Sequence, residues 1–238
     1  MTQRAYGKVV LLGAGPGAAD LLTVRGACIL AQADAVLHDA LVSADVLALA
    51  PQAEKISVGK RSGQRSTAQL AINQLLVDCA ARYRLVVRLK GGDPMLFGRA
   101  DEELSALEAH GIAIEVVPGI TTAFAAAASA LQPLTRRGVA RSIAFFTSAT
   151  APGEPDQLTL PNSDTLIQYM GGREAVVTAK KLLEQGRPPE LPVVVVENCS
   201  LPDERITRLT LRELEQGLGE RQGPVLVMIG AAMASRSR

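Results

Sequence analysis

The run Gly91-Gly92-Asp93-Pro94-Met95-Leu96-Phe97-Gly98-Arg99 follows the apolar residues Leu85 to Leu89 and gathers bare backbone, a carboxylate, a rigid turn and an arginine. A second glycine-rich run, Gly13-Ala14-Gly15-Pro16-Gly17, follows Val9 to Leu12. Glycine lets a main chain approach a ligand closely, and open α/β sheets bind ligands beyond the carboxyl ends of their strands. In the richer loop Asp93 offers an acceptor to an ammonium or a ribose hydroxyl, and Pro94 fixes the turn. This set exceeds what phosphate binding requires and points to a zwitterionic or cationic cofactor.

A dinucleotide is the competing reading of Gly13 to Gly17, since Asp39 follows the second strand about where a ribose-binding acid would stand. Two residues oppose it. Ala18 replaces the third glycine, and Pro16 removes a backbone donor where a pyrophosphate would need one.

The elements that must position these loops follow from periodicity. Lys8 to Gly13 predicts a buried strand, Asp20 to Ala33 a helix, Ala35 to His38 a strand, and Ser43 the cap of a helix stopped by Pro51. Glu54 to Val58 reads as a third strand, and Ser66 and Gln69 stand at capping-box spacing before a helix whose apolar face is Ile72, Leu75, Leu76, Cys79 and Tyr83. Leu85 to Leu89 is the next strand, Gly98 to His110 a helix, and Ile112 to Val117 a strand. Apolar strands alternating with helices are the pattern of a sheet covered on both faces.

The rhythm changes after an alanine-rich helix, Thr121 to Leu131. Strands Ser142 to Thr147 and Thr165 to Met170 are separated by the Gly/Pro-rich stretch Ala151 to Pro161, which suggests a mixed sheet. A helix over Ala175 to Gln185 and strands at Val193 to Glu197, Ile206 to Leu211 and Val225 to Ile229 complete the chain. The expected class is α/β with two domains, residues 1–119 and residues 120–238, joined near Gly119 to Thr135.

Composition narrows the function. A formal net charge of +1 argues against a general nucleic-acid binder, and the three cysteines, Cys28, Cys79 and Cys199, read as reduced and packed. The two histidines, His38 and His110, stand at no metal-ligand spacing, so no metal site is expected. Met1 to Tyr6 lacks the apolar core of a signal peptide and no run is long enough to span a bilayer, so the expectation is a soluble cytoplasmic protein without a membrane partner.

The glycine runs, His38-Asp39 before Leu41-Val42-Ser43, Val58-Gly59-Lys60-Arg61 and Val117-Pro118-Gly119-Ile120-Thr121 together resemble the tetrapyrrole methylases. Pro133-Leu134-Thr135, Tyr169-Met170-Gly171-Gly172, Glu197-Asn198 before Ser200-Leu201-Pro202, and Gly223-Pro224-Val225 before Gly230 continue the resemblance in order over nearly the whole chain. The resemblance implies a two-domain α/β enzyme, a homodimer, with S-adenosylmethionine and a tetrapyrrole in the cleft between domains. The implied activity is methylation of uroporphyrinogen III at carbons 2 and 7, giving precorrin-2 and S-adenosylhomocysteine, on the route to sirohaem and cobalamin. Among relatives that carry further catalytic domains, this chain is expected to be the methyltransferase alone.

Carried over by position, the cofactor contacts implied are Pro16, Gly91, Gly92, Asp93, Leu96, Thr121, Thr122, Met170 and Cys199, several through backbone atoms. The resemblance makes Asp39 a proton acceptor, Lys60 a proton donor, Arg99 and Glu102 a pair that handles the macrocycle and its proton, and Arg137 and Tyr169 substrate contacts. The chemistry suits these roles. A pyrrole carbon that takes a methyl group leaves a cationic ring until a proton departs, and Asp39 and Glu102 are both candidate bases. Arginine forks match the substrate's carboxylates, with Arg61, Arg65, Arg136 and Arg141 as further contributors. The chain departs from the family at Ala18, Ala40, Arg136 and Ser148-Ala149; Ala40 stands where an arginine is usual beside the aspartate.

Overall fold

The computed structural model describes residues 6–59, 69–148 and 159–235. Lys60, Arg61, Arg65, Ser66, Ala149 and most of the Gly/Pro-rich stretch lie outside the described residues. The chain divides into two compact units, Met1–Thr121 and Thr122–Arg238.

The first unit contains β1 (Lys8–Gly13), α1 (Val24–Leu30), β2 (Ala35–His38), α2 (Ala44–Ala48), β3 (Glu54–Ser57), α3 (Gln69–Ala80), β4 (Leu85–Lys90), α4 (Ala100–Ala109) and β5 (Ile114–Val117). Its sheet has the order β3-β2-β4-β1-β5, with every pair parallel. Alternation along the strands sorts two cores. Val9, Leu11, Leu37 and Val86 pack with Ile72 and Leu76 of α3 and Leu107 of α4. Val10, Leu12, Val36, Val87 and Leu89 pack on the other face with Leu30 of α1 and Val46 of α2.

Two helices begin later than periodicity suggests. Asp20 belongs to a single 3-10 turn, Ala19–Leu21, and α1 starts at Val24 because the Thr23 hydroxyl accepts the Gly26 amide at 3.1 Å. α4 starts at Ala100 rather than Gly98, since Phe97 and Arg99 hold left-handed backbone at φ 53° and 54°. Ser43 caps α2 as expected, and its hydroxyl also donates to the Gly17 carbonyl at 2.9 Å, tying that helix to the first glycine turn.

The second unit contains α5 (Thr122–Ser129), β6 (Ile143–Thr147), β7 (Thr165–Tyr169), α6 (Glu174–Glu184), β8 (Pro192–Glu197), β9 (Arg205–Thr210), α7 (Leu211–Gln216) and β10 (Val225–Gly230). Its sheet runs β6-β7-β10-β8-β9, with β6 and β7 parallel and the remaining pairs antiparallel. Phe146, Leu166, Val193, Val195 and Val227 pack against Ala175, Ala179 and Leu182 of α6 and Leu211 and Leu214 of α7. Leu211 opens a helix instead of closing a strand. The Thr210 hydroxyl accepts the Glu213 amide while Glu213 accepts from the Thr210 amide, a reciprocal cap. Cys79 and Cys199 are buried as expected, whereas Cys28 is exposed on α1.

Candidate active site

In the first unit three backbone segments meet at the carboxyl end of the parallel sheet. Gly15 and Gly92 exchange amide and carbonyl bonds of 3.2 and 2.7 Å, and the Ala14 amide donates to the Lys90 carbonyl at 2.7 Å. A Cβ on Gly13 would lie 2.5 Å from the Gly119 Cα, and one on Gly119 would lie 2.2 Å from the Gly92 carbonyl oxygen. Only glycine permits this approach. Gly92 also needs glycine for its φ of +67°.

Gly91 differs from these. Among the described residues a Cβ there would find nothing nearer than the Leu41 Cβ at 3.8 Å, so their packing does not require the bare backbone. The space beside it is open. Leu41, Met95 and Phe97 are exposed apolar side chains in the same unit, and Leu96 is half-buried with its amide 3.3 Å from the Asp93 carbonyl. Asp93 itself fastens loops: Oδ1 accepts the Met95 amide at 2.8 Å and Oδ2 the Gly119 amide at 3.0 Å. Each oxygen retains a further lone pair.

The two candidate bases are held differently. Both Glu102 oxygens are engaged by Arg99, Nε to Oε1 at 2.7 Å and Nη2 to Oε2 at 2.8 Å, with both side chains largely exposed. The Arg99 hydrogen bond holds the Glu102 carboxyl below the usual carboxylate range, and the same bond raises Arg99. Asp39 follows β2 and is partly buried; its Oδ1 accepts from Arg88 Nη2 at 2.6 Å. Among the described residues nothing hydrogen-bonds its Oδ2. That oxygen is the freer acceptor.

Behind Asp39 lies a cluster that the sequence reading missed. Arg88 and Lys90 are 3% exposed and Glu103 is fully buried. Arg88 Nε donates to Glu103 Oε1 at 2.9 Å, and Lys90 Nζ donates to Glu103 Oε2 at 3.0 Å. Burial, reinforced by the neighbouring Arg88, pushes the Lys90 ammonium below its usual value, while Glu103 opposes that shift. The available signal was the alternation in Leu85-Val86-Val87-Arg88-Leu89-Lys90, which puts two cations on one face of a core strand and demands buried acid partners.

In the second unit β7 and β8 run in the same direction on either side of β10, so Tyr169, Met170 and Cys199 share one edge. The start of β10 lies between them: the Gly171 amide donates to the Val225 carbonyl and the Asn198 amide to the Pro224 carbonyl, each at 3.1 Å. The Tyr169 hydroxyl accepts the Ala123 amide at 3.3 Å, placing Thr122 at this edge too, and the Tyr169 ring meets Phe145 edge to face. Met170 is exposed at a left-handed φ of 55°. Cys199 sits between left-handed Asn198 and Ser200, and burial, with Glu204 adding to it, pushes its thiol up to about 12. A neutral, inward thiol leaves main chain as what Cys199 can offer a ligand.

Arg137 is not brought to that edge. Its segment is fastened at the start of β7, where the Thr165 hydroxyl donates to the Leu134 carbonyl at 2.9 Å, and the Arg137 side chain is exposed. Thr121 is buried in the first unit, and Pro16 lies half-buried in the first glycine turn. No group of three or more His, Cys, Asp or Glu suited to a metal ion occurs among the described residues. No helix among them is long and apolar enough to cross a membrane.

The family model for Tetrapyrrole (Corrin/Porphyrin) Methylases matches residues 8–215. The chain belongs to this family. Within the tetrapyrrole methylases, a siroheme synthase of Tolumonas auensis is 45% identical over 234 residues, which cover 97% of this chain and 50% of that protein. The chain thus spans about half the length of the curated relatives it matches. The crystal structure of uroporphyrin-III-C-methyltransferase from Thermus thermophilus is similar at a TM-score of 0.82 and 40% identity, covering 95% of this chain and 93% of that one. A second structure of the Thermus thermophilus enzyme, complexed with S-adenyl homocysteine, has a TM-score of 0.81 at 40% identity over the same shares. The cobalt precorrin-4 methyltransferase CbiF has a TM-score of 0.80 at 30% identity, covering 96% of each chain. Two α/β units of the tetrapyrrole methylase type are therefore the fold of this chain.

Proposed function

We propose that this chain is an S-adenosylmethionine-dependent C-methyltransferase that converts uroporphyrinogen III to precorrin-2 by methylation at carbons 2 and 7. One observation carries the reading. At the carboxyl end of the parallel sheet, the open backbone at Gly91 lies in the same unit as a partly buried carboxylate, Asp39, one of whose oxygens no described residue hydrogen-bonds. A glycine that packing does not demand fits a ligand pressed against main chain.

When bound, S-adenosylmethionine supplies an electrophilic methyl group on a sulfonium. In the first unit the residues that would hold it are Pro16, Gly91, Gly92, Asp93, Leu96 and Thr121; in the second unit, taken by itself, the candidates are Thr122, Met170 and Cys199. Orientation of donor and acceptor carries much of such a displacement, and the locked glycine segments are rigid enough to provide it. Asp39 Oδ2 takes the proton released after a ring carbon is methylated. Lys60 acts as proton donor, Arg99 binds substrate carboxylates, and Tyr169 contacts the macrocycle. Glu102 serves chiefly to orient Arg99, because Arg99 already occupies both its oxygens.

The protein acts as a cytoplasmic homodimer in this reading, and the exposed apolar side chains Phe124, Leu131 and Val139 support a second copy as partner. The decisive assay is anaerobic incubation with uroporphyrinogen III and methyl-labelled donor. Two labelled methyl groups per macrocycle are expected. Label entering only a cobalt-precorrin acceptor would instead favour the reading suggested by the likeness to CbiF, and binding of the macrocycle without transfer would make the chain a non-catalytic relative.

A further inference from the structure

We propose that Arg88 is a positioning residue that acts on methyl transfer through Asp39, holding that carboxylate so that Oδ2 faces the substrate. The inference rests on the reading of Asp39 as proton acceptor. It starts from an oddity of β4: the face that carries Val86 into the core carries Arg88 and Lys90 two and four residues later. The guanidinium is held on three sides, by Glu103 through Nε, by Asp39 through Nη2 and by the Leu89 carbonyl through Nη1 at 3.3 Å. Glu103 is in turn held by Lys90 on Oε2 and approached by Gln69 Nε2 at 3.4 Å on Oε1. The set comprises two cations and two anions, so its formal charges cancel.

Stability alone does not account for such a set. Burying ions costs several kcal/mol each, and well-packed apolar residues of similar volume often do as well or better. Only Asp39 extends the set toward solvent, with its side chain 33% exposed against 3% for Arg88. A fork pinned by a buried glutamate presents a fixed nitrogen to Oδ1, which fixes the carboxylate plane and therefore Oδ2. The buried ions thus orient an outer carboxylate as a supporting shell orients a reacting group.

A double-mutant cycle tests this. Single-turnover methyl transfer is measured for the full chain and for Asp39→Asn, Arg88→Met and the double variant, with S-adenosylhomocysteine affinity measured beside it. Arg88→Met should slow transfer by about 10- to 100-fold with cofactor affinity changed less than about threefold, and should cause no further loss in the Asp39→Asn background. Arg88→Lys keeps a cation against Glu103 but loses the fork, so it should fold even if Arg88→Met does not, and should show the same dependence on Asp39. Wild-type rates in the Arg88→Lys variant, or equal losses with and without Asp39, would overturn the proposal. A fully active Asp39→Asn would remove the proton-acceptor reading itself, which is a different result.

Discussion

The two sheets present candidate binding edges of opposite character. In the first unit every strand runs the same way, so the loops after β1, β2 and β4 converge on one end, and the buried ions behind Asp39 lie under them. In the second unit the mixed sheet brings the start of β10 between the ends of β7 and β8, and the edge is built from main chain, Met170, Tyr169 and an un-ionised Cys199. Charge there is spent on structure: Glu197, fully buried, accepts the Gln222 and Gly223 amides at 2.7 and 3.1 Å and faces Arg221 at 3.2 Å, which fixes the loop before β10. The proposed function therefore assigns proton chemistry to the first edge, and shape and orientation to the second.

The largest structural effect expected from breaking this contrast lies in the second unit. Glu197→Ala strands the Arg221 guanidinium and two amides, and should cost about 3–5 kcal/mol in denaturant unfolding, as for other broken buried pairs. Where the protein remains folded, transfer per bound substrate should change little, because no charge at that edge takes part.

A pair of glycine substitutions sharpens the reading of the first edge. Gly119→Ala drives a methyl into the Gly92 carbonyl and should cost about 1–3 kcal/mol of stability. Gly91→Ala meets no atom of the described residues closer than 3.8 Å and should leave the melting temperature unchanged. It should nevertheless weaken S-adenosylhomocysteine by about tenfold or more in calorimetry, the loss of roughly 1.4 kcal/mol of contact. If both variants lose stability and neither loses affinity, the cradle has been misplaced.

A smaller effect concerns pH. Asp164 precedes β7 and its Oδ2 accepts the Arg141 and Ser142 amides at 2.9 and 3.0 Å. The Arg141 amide, with the Ser142 hydroxyl and amide, holds its carboxyl below the usual aspartate value. A folded value below the unfolded one means stability present above the unfolded pKa and lost as pH falls through the folded one. Acidifying from about pH 5 to about pH 3 should therefore lower the melting temperature of the wild type more than that of Asp164→Asn.

Much of this was legible in the sequence because apolar alternation and glycine runs are local signals. The order of strands and helices in the first unit, the cap at Ser43 and the burial of Cys79 and Cys199 needed nothing more. What escaped depended on partners far along the chain. Arg88 and Lys90 make sense only once Glu103 is brought to them from α4, and the further hold of Asp93 on the Gly119 amide depends on a residue 26 positions away. Helix α7 was legible in Thr210-Leu211-Arg212-Glu213 but was hidden by a strand pattern that ends one residue before. The late start of α4 reflects left-handed backbone at Phe97 and Arg99, which no propensity foretells.

The most direct test compares the two carboxylates that the sequence offers as candidate bases. Single-turnover transfer to uroporphyrinogen III is followed for Asp39→Asn and Glu102→Gln at saturating donor. The account predicts a loss of about 100-fold or more for Asp39→Asn and of less than about tenfold for Glu102→Gln. The reverse order would place the proton on the exposed Arg99–Glu102 pair and contradict the assignment of chemistry to Asp39.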